Sequence, residues 1–307
     1  MARKQAIPTN EEIQKRFEKC YGFNNQIGLY DQVKVNEDFY IGNQWEGVEA
    51  NGLPTPTYNM FKRVINFQVS TITSDNLTLR ALPMPSTSRA TMKDLERVCE
   101  IVSNQFAAII KRNRIVALNR EFLRNAAVTG DGCMHFYFDP TIENGQDVKG
   151  EIVAEIVDNL RVHFGNPNCR DVQRQPYIII SRRELVDDVR YKVETNHEQG
   201  LCKIADPDEI QADSEKFQNQ YDSYTDDKVT VLTYYFRNRD TGTIWCIEST
   251  KKGIIRDAYD TEYTLYPLVW LNWDYIRDCY HGQAMVTGLL ANQKFINKMF
   301  ALVGISL

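Results

Sequence analysis

Apolar residues recur at helical spacing along the first 130 residues of the chain. The clearest case is residues 92–110, where apolar positions follow one another at intervals of three and four without a gap. Similar spacing predicts further helices near Asn10–Cys20, from about Asn25 to Tyr40, over Asn59–Ile72 and from about Ile115 to Val128. Asn10 precedes two acidic residues, and this pattern predicts that Asn10 is the N-cap of the first helix.

From residue 131 onward, short apolar and β-branched runs alternate with turn residues. Two pairs of these runs flank polar turns that contain Asn144-Gly145 and Thr241-Gly242, so each pair predicts an antiparallel hairpin. The predicted elements are, in order, Cys133–Phe138, Glu151–Val157, a loop at His163–Asn168, Tyr177–Ile180, a short helix near Arg182–Tyr191, Val229–Phe236, Thr243–Thr250 and Ile254–Ile255.

The last predicted element is a helix that begins at Ala284. Its apolar residues recur at steps of four, seven, four and three, which predicts a packing stripe. Thr287, Lys294 and Lys298 fall on another side, so the helix has one apolar and one cationic face. The run Met299–Leu307 has no charge, no proline and no capping motif, which predicts that the helix continues or docks elsewhere. The packing stripe comprises Met285, Leu289, Ile296, Phe300 and Val303.

The order of these elements predicts an α+β fold with N-terminal helices, then antiparallel strands, then one long helix. The 307 residues, of which 43% are hydrophobic and 25% charged, are enough for two domains or one large one. The net charge of −5 argues against a protein that coats nucleic acid over its whole surface. Seven scattered cysteines without a CxxC pair predict free thiols. No signal peptide and no apolar window of ~20 residues is present, so we expect synthesis in a cytosol and no membrane insertion.

Candidate catalytic residues are sparse. His135 lies in a predicted strand and could belong to a nucleophilic or metal site, but a structural strand histidine is the simpler interpretation. Glu151, Glu155 and Asp158 could serve a metal-dependent nuclease. However, Glu151 and Glu155 are spaced among apolar residues as the water-facing side of a strand would be. The sequence therefore predicts no catalytic residue, no metal site and no cofactor.

Three charged segments bear on nucleic-acid binding. Lys111, Arg112 and Arg114 could contact phosphates, or could form the polar joint of a helical hairpin. Lys294 and Lys298 share a face of the last helix and are the better candidates to face nucleic acid. The stretch 206–227 has eight acids and one lysine, so we expect it on a solvated surface away from nucleic acid.

Three segments resemble the portal proteins of tailed bacteriophages, chiefly those of the short-tailed type. The first, Asp38–Trp45, is similar to the F/Y-x-G-x-Q-W segment of many portals, and Asn59–Val69 is similar to the helix after it. The second, Arg120–Pro140, resembles a helix that ends at G-x-G and enters a strand. The third, Tyr280–Asn297, is similar to the run that begins the portal stem. Their order and spacing across the chain make the combination specific.

The resemblance implies a wing-like α+β domain over residues 1–280, helical over 1–130 and strand-rich over 131–280, followed by the start of a stem helix over 281–307. The clip and crown of portals have no counterpart in the sequence. The resemblance also implies a non-enzymatic ring, usually of twelve subunits, at a capsid vertex, through which double-stranded DNA is packaged and ejected. The implied partners are terminase, the major capsid protein and tail adaptor proteins, with the protein residing in the virion. The alternatives are a metal-dependent nuclease and another virion component, such as a scaffold or tail adaptor.

Overall fold

The computed structural model describes residues 6–50, 52, 54–74, 78–84, 92–143, 145, 149–202, 204, 206–214 and 227–306. The α+β fold predicted from the sequence is confirmed. The helices are α1 (Asn10–Gln26), α2 (Leu29–Ile41), α3 (Met60–Ile72), α4 (Met92–Arg112), α5 (Ile115–Thr129), α6 (Val186–Glu198) and α7 (Met285–Ser306). The strands are β1 (Asp131–Asp139), β2 (Glu151–Val157), β3 (Val162–Phe164), β4 (Tyr177–Leu185), β5 (Lys228–Arg237), β6 (Ile244–Ser249), β7 (Ile254–Asp260) and β8 (Leu268–Asn272). Among the described residues, no helix combines the length and the apolar character needed to cross a bilayer.

The strands form two antiparallel sheets. The smaller sheet has the order β2-β1-β8, and the larger one has the order β3-β4-β5-β6-β7. Both predicted hairpins are confirmed, with Cys133 opposite Val157 in the first and Phe236 opposite Trp245 in the second. β8 returns from the far end of the chain to pair with β1, and this places the start of β1 beside the loop that leads into α7.

Two sequence predictions about the larger sheet are wrong. Residues near Arg182 were predicted to start a helix, but β4 continues to Leu185 and α6 begins only at Val186. The continued pairing with β5, which extends to the end of β4, provides backbone hydrogen bonds that outweigh local helix preference. His163 was predicted to lie in a loop, but it belongs to β3 and lies opposite Ile179.

The N-cap of α1 is Thr9 and not Asn10, which is the first helical residue. The Thr9 hydroxyl accepts a hydrogen bond from the Glu12 backbone N–H at 3.4 Å, and the Glu12 carboxylate accepts one from the Thr9 backbone N–H at 3.3 Å. This reciprocal capping box satisfies two backbone donors, whereas Asn10 could satisfy only one.

The buried apolar residues described here form four clusters. α1 covers one face of the larger sheet with Ile13 and Phe17, and α6 packs with β5 and β7 through Val189 and Val193. A third cluster lies between the two sheets. The fourth joins α2, α3, α5 and α7, and includes the fully buried Ile65. Each buried side chain of this size contributes roughly 1.5–3 kcal/mol.

Helix α4 was the clearest amphipathic prediction, and the helix forms over nearly the predicted range. None of its residues is buried, however, and Val98 and Ile101 are more than half exposed. α4 contacts the rest of the chain chiefly through α5. The chain therefore covers only part of the apolar surface of α4 that the sequence pattern predicts.

Candidate functional site at the start of the last helix

The loop before α7 lies directly against the turn between α5 and β1. Gly130 in this turn has φ +104°, and a Cβ there would lie 2.6 Å from the Gly282 carbonyl oxygen. A Cβ on Gly282 would lie 2.7 Å from the Cβ of Asn272 and 2.7 Å from the carbonyl oxygen of Asp274. The two glycines therefore allow two backbone segments to approach more closely than any side chain would permit.

Asp131 lies at the centre of this contact, and its side chain has no exposed surface. One carboxylate oxygen accepts hydrogen bonds from the Gly282 backbone N–H at 2.7 Å and from the Asn272 amide at 2.7 Å. The other accepts from Nδ1 of His281 at 2.6 Å. These hydrogen bonds compensate for the cost of burying a carboxylate. They also fix the loop before α7 relative to the smaller sheet.

The polar network continues into α1 through Asn24. The Asn24 side-chain oxygen accepts a hydrogen bond from the Tyr280 hydroxyl at 3.0 Å and lies 3.2 Å from Nε2 of His281. Burial raises the pKa of Tyr280 well above its usual value, so the hydroxyl keeps its proton and can donate it. The Trp270 indole N–H donates to the Tyr280 carbonyl at 3.0 Å. The loop is thereby held from three sides by α1, β1 and β8.

Further along α7, a second buried polar cluster attaches the helix to α2 and α3. The Gln293 amide donates to the Tyr58 carbonyl at 2.6 Å and to the Asn297 side-chain oxygen at 2.9 Å. Its own oxygen accepts from the Met60 backbone N–H at 3.4 Å. The Asn297 amide donates to the Gln44 side-chain oxygen at 2.7 Å. Two of these bonds satisfy the Tyr58 carbonyl and the Met60 N–H beside the start of α3, where the N–H has no earlier helical turn to pair with.

The connection between α2 and α3 is held by side chains from the same region. Gln44 donates to the Phe39 carbonyl at 3.1 Å, and Asn59 donates to the Tyr40 carbonyl at 2.9 Å. The Asn59 oxygen also caps α3 by accepting from the Lys62 backbone N–H at 3.2 Å. The end of α2, the start of α3 and the middle of α7 therefore form one hydrogen-bonded unit.

The three segments that carry the family resemblance meet in these two clusters. The first contributes Gln44, the second Asp131, and the third Gly282, Gln293 and Asn297. Asp131 and His281 are sealed from solvent, so neither side chain is presented to a substrate. The hydrogen bonds of the two clusters position α7, and we call the two clusters together the structural joint.

The predicted packing stripe of α7 lies only partly inside the subunit. Met285 and Leu289 pack against the helical core, and Ile296 is half-buried. Phe300 and Val303 are exposed in the single subunit. The packing role of Phe300 and Val303 therefore stays a prediction, and it would need contacts beyond this chain.

The most buried side of α7 is rotated from the predicted stripe and is centred on Val286, Gln293 and Asn297. Two of these residues are polar, so a search for apolar spacing misses them. Thr287 was placed with Lys294 and Lys298 on the cationic side of α7, but its hydroxyl accepts a hydrogen bond from the Asn36 amide at 2.9 Å. Thr287 therefore packs against α2 and does not share the exposure of the two lysines.

The predicted nucleic-acid-facing cations lie at two places. Lys294 has its ammonium 5.4 Å from the centre of the Phe39 ring, and Lys298 is exposed one turn further on. Lys111, Arg112 and Arg114 lie together at the α4–α5 turn. The Arg112 guanidinium donates to the Glu151 carboxylate at 2.6 Å. This ion pair links the helical hairpin to β2.

His135 lies between the two sheets and is almost fully buried. Its Nδ1 lies 2.9 Å from the Glu155 carboxylate, and its Nε2 lies 3.1 Å from the Tyr235 hydroxyl. Arg182 forms an ion pair with the same carboxylate. Glu155 is therefore half-buried in a charged cluster, which corrects its predicted place on a water-facing strand surface. No group of His, Cys, Asp or Glu in the described part of the chain is arranged to hold a metal ion.

Acidification is expected to weaken the contact between the two sheets. Burial lowers the pKa of His135 below its ordinary value of 6.5, so the unfolded chain takes up this proton before the folded protein does. Stability should therefore decrease as the pH falls below about 6.5, until the folded His135 also titrates. His135→Gln should flatten this part of the profile when Tm is measured between about pH 8 and pH 5. The matched change His197→Gln, at an exposed position in α6, is the control for replacing a histidine with glutamine. An unaltered slope in His135→Gln would contradict the assignment.

A sequence model of the phage P22-like portal protein family matches residues 14–260. This range includes the first two resemblance segments and ends before α7. A search of curated proteins returned no match. Portal proteins are structural components of the virion that assemble as rings and interact with capsid and tail components. Because the match covers most of the chain, this protein belongs to the P22-like family of phage portal proteins.

Proposed function

We propose that this portal protein forms a ring, of twelve subunits by family resemblance, at one capsid vertex and conducts double-stranded DNA during packaging and ejection. The observation that carries the proposal is the pair of buried polar clusters that anchor α7 to both the sheets and the helices. A conduit needs each subunit to hold its channel-forming helix at one fixed angle, and directional hydrogen bonds provide that angle better than apolar packing alone. Residues 1–280 would then form the wing-like part and α7 would begin the stem.

Helix α7 has separate sides for separate contacts. The side with Gln293 and Asn297 faces its own subunit. Lys294 and Lys298 lie on an adjacent side, which we assign to the DNA channel. A conduit must let DNA slide, and two lysines in each subunit provide only weak, salt-dependent contacts with phosphates. Terminase, the major capsid protein and tail adaptor proteins are the partners that this role requires.

Substitutions on α7 are expected to separate ring assembly from DNA contact. Ile296→Asp should abolish rings, because it places a carboxylate in a half-buried apolar position. Lys294→Ala combined with Lys298→Ala should leave rings intact and change only DNA retention or passage. Negative-stain imaging of both variants tests the first expectation, and DNA retention at increasing salt tests the second. Intact rings from Ile296→Asp would contradict this assignment of the α7 faces.

The proposal includes no catalysis. The nuclease alternative needs free carboxylates, but Glu151 pairs with Arg112, and Glu155 contacts both His135 and Arg182. Supercoiled plasmid incubated with the protein and magnesium should therefore remain intact, and nicking that depends on Glu155 would support the alternative. Subunit counting by electron microscopy separates a portal from a scaffold or a tail adaptor.

A further inference from the structure

One side chain covers part of the open edge of the smaller sheet. β2 is an edge strand in the order β2-β1-β8. The Asn113 amide donates a hydrogen bond to the Ile152 carbonyl at 2.8 Å, and the Asn113 side-chain oxygen accepts one from the Ala154 backbone N–H at 2.9 Å. Alternate residues of an edge strand direct their backbone groups away from the sheet, so Ile152 and Ala154 direct theirs away from β1. Asn113 therefore occupies the place of an added strand.

Asn113 belongs to the connection between α4 and α5, residues 112–114, which we call the elbow. The preceding residue, Arg112, forms an ion pair with Glu151 at 2.6 Å, so two consecutive elbow residues contact the first half of β2. The following residue, Arg114, has φ +51°, a left-handed conformation that is unfavourable for a residue with a side chain. The chain thus adopts an unfavourable backbone conformation at the point where Asn113 meets β2.

The edge beneath Asn113 has the properties of a strand that pairs readily with another chain. Ile152 is 44% exposed, and Phe138, which lies opposite it in β1, is 48% exposed. A strand edge with free N–H and C=O groups beside exposed apolar side chains is a template for a further strand. An asparagine side chain carries both a donor and an acceptor, as a peptide group does. Asn113 can therefore satisfy this edge without extending the sheet.

We propose that Asn113 blocks the β2 edge against pairing with the β2 edge of a second copy of this chain. Two copies related by a two-fold axis present the same strand in opposite directions, which is the arrangement of an antiparallel pair. In a pairing centred on Ala154, Ile152 of one copy lies opposite Ile156 of the other, and Glu151 lies opposite Val157. No two like charges then face each other directly across the pair. The inference concerns the single subunit and does not depend on ring formation.

Hydrogen exchange tests whether Asn113 protects the edge. In the full chain, Asn113→Ala removes the acceptor of the Ala154 N–H, so this amide should exchange at least about fivefold faster than in the wild type. Asn104→Ala is the matched control, because Asn104 is an exposed asparagine of α4, and it should leave the exchange rate of Ala154 unchanged. An unchanged rate in Asn113→Ala would overturn the proposal.

Self-association tests what the block prevents. At equal concentration, Asn113→Ala should give thioflavin T-positive material that pellets at low speed, whereas the wild type and Asn104→Ala should stay in solution. Adding Ile152→Lys should restore solubility and leave the fast exchange of Ala154, because a charged residue at a sheet edge opposes strand pairing. Insolubility that Ile152→Lys does not reverse would overturn the proposal in favour of general unfolding. A fast-exchanging Asn113→Ala that stays in solution would overturn it as well, because the uncovered edge would then not pair.

Discussion

Asp131→Ala is expected to destabilise the protein by at least about 3 kcal/mol, because it removes the buried carboxylate that three groups contact. The substitution removes the acceptor for the Gly282 N–H, the Asn272 amide and the His281 ring at once. Each buried donor left without a partner costs about 1–3 kcal/mol. Since a whole domain is stable by only about 5–15 kcal/mol, much of the protein should be unfolded near physiological temperature. Urea unfolding followed by tryptophan fluorescence measures the loss.

A matched control lies at the other end of the same strand. Asp139 is half-exposed, and within the described residues the hydrogen bonds that it accepts come from its neighbour Thr141. Asp139→Ala should therefore change the free energy of unfolding by less than about 0.5 kcal/mol, as surface substitutions usually do. Asp131→Asn keeps the size of the side chain but loses its charge, so its free energy of unfolding should lie between those of Asp131→Ala and Asp139→Ala. Equal stability of Asp131→Ala and Asp139→Ala would show that the buried network does not hold the loop.

Local patterns predicted most of the helices and hairpins because the information for these elements lies within a few residues. The spacing of Phe61, Ile65 and Val69 predicts α3, and all three are buried. The errors occur where distant pairing decides the structure. β4 continues past Ile180 because β5, about fifty residues later, pairs with it. No local signal near Arg182 contains that information.

The candidate site could be predicted only in part, because it too depends on contacts between residues that are far apart in the sequence. Resemblance picked out the segments that hold Gln44, Asp131 and Gln293, but the sequence did not say that they meet. Their partners are far away in the chain, as Asn24 is from His281. One available signal is that Val286, Gln293 and Asn297 recur at steps of seven and four, which places them on one helix face. Polar residues on such a face predict buried hydrogen bonds when the neighbouring residues are apolar.

Gln293→Ala is expected to loosen α7 from the rest of the subunit. The Gln293 side chain is 1% exposed, and its loss leaves the Tyr58 carbonyl, the Met60 N–H and the Asn297 side-chain oxygen without their Gln293 partner. A penalty of about 1–3 kcal/mol corresponds to roughly a fivefold to 150-fold faster opening. Hydrogen exchange of the α7 amides should accelerate by this factor, while amides of α6 should exchange at the wild-type rate.

Asn292→Ala is the matched control, because Asn292 is the preceding residue on α7 and its side chain is exposed. Both variants replace an amide side chain with alanine, so they change the helix propensity of α7 in the same direction. Only Gln293→Ala removes hydrogen bonds to α3. If α7 holds its angle through these bonds, Gln293→Ala should also form fewer closed rings at a given protein concentration. Identical exchange rates in the two variants would mean that apolar packing alone fixes α7, and the structural joint would then be confined to Asp131 and His281.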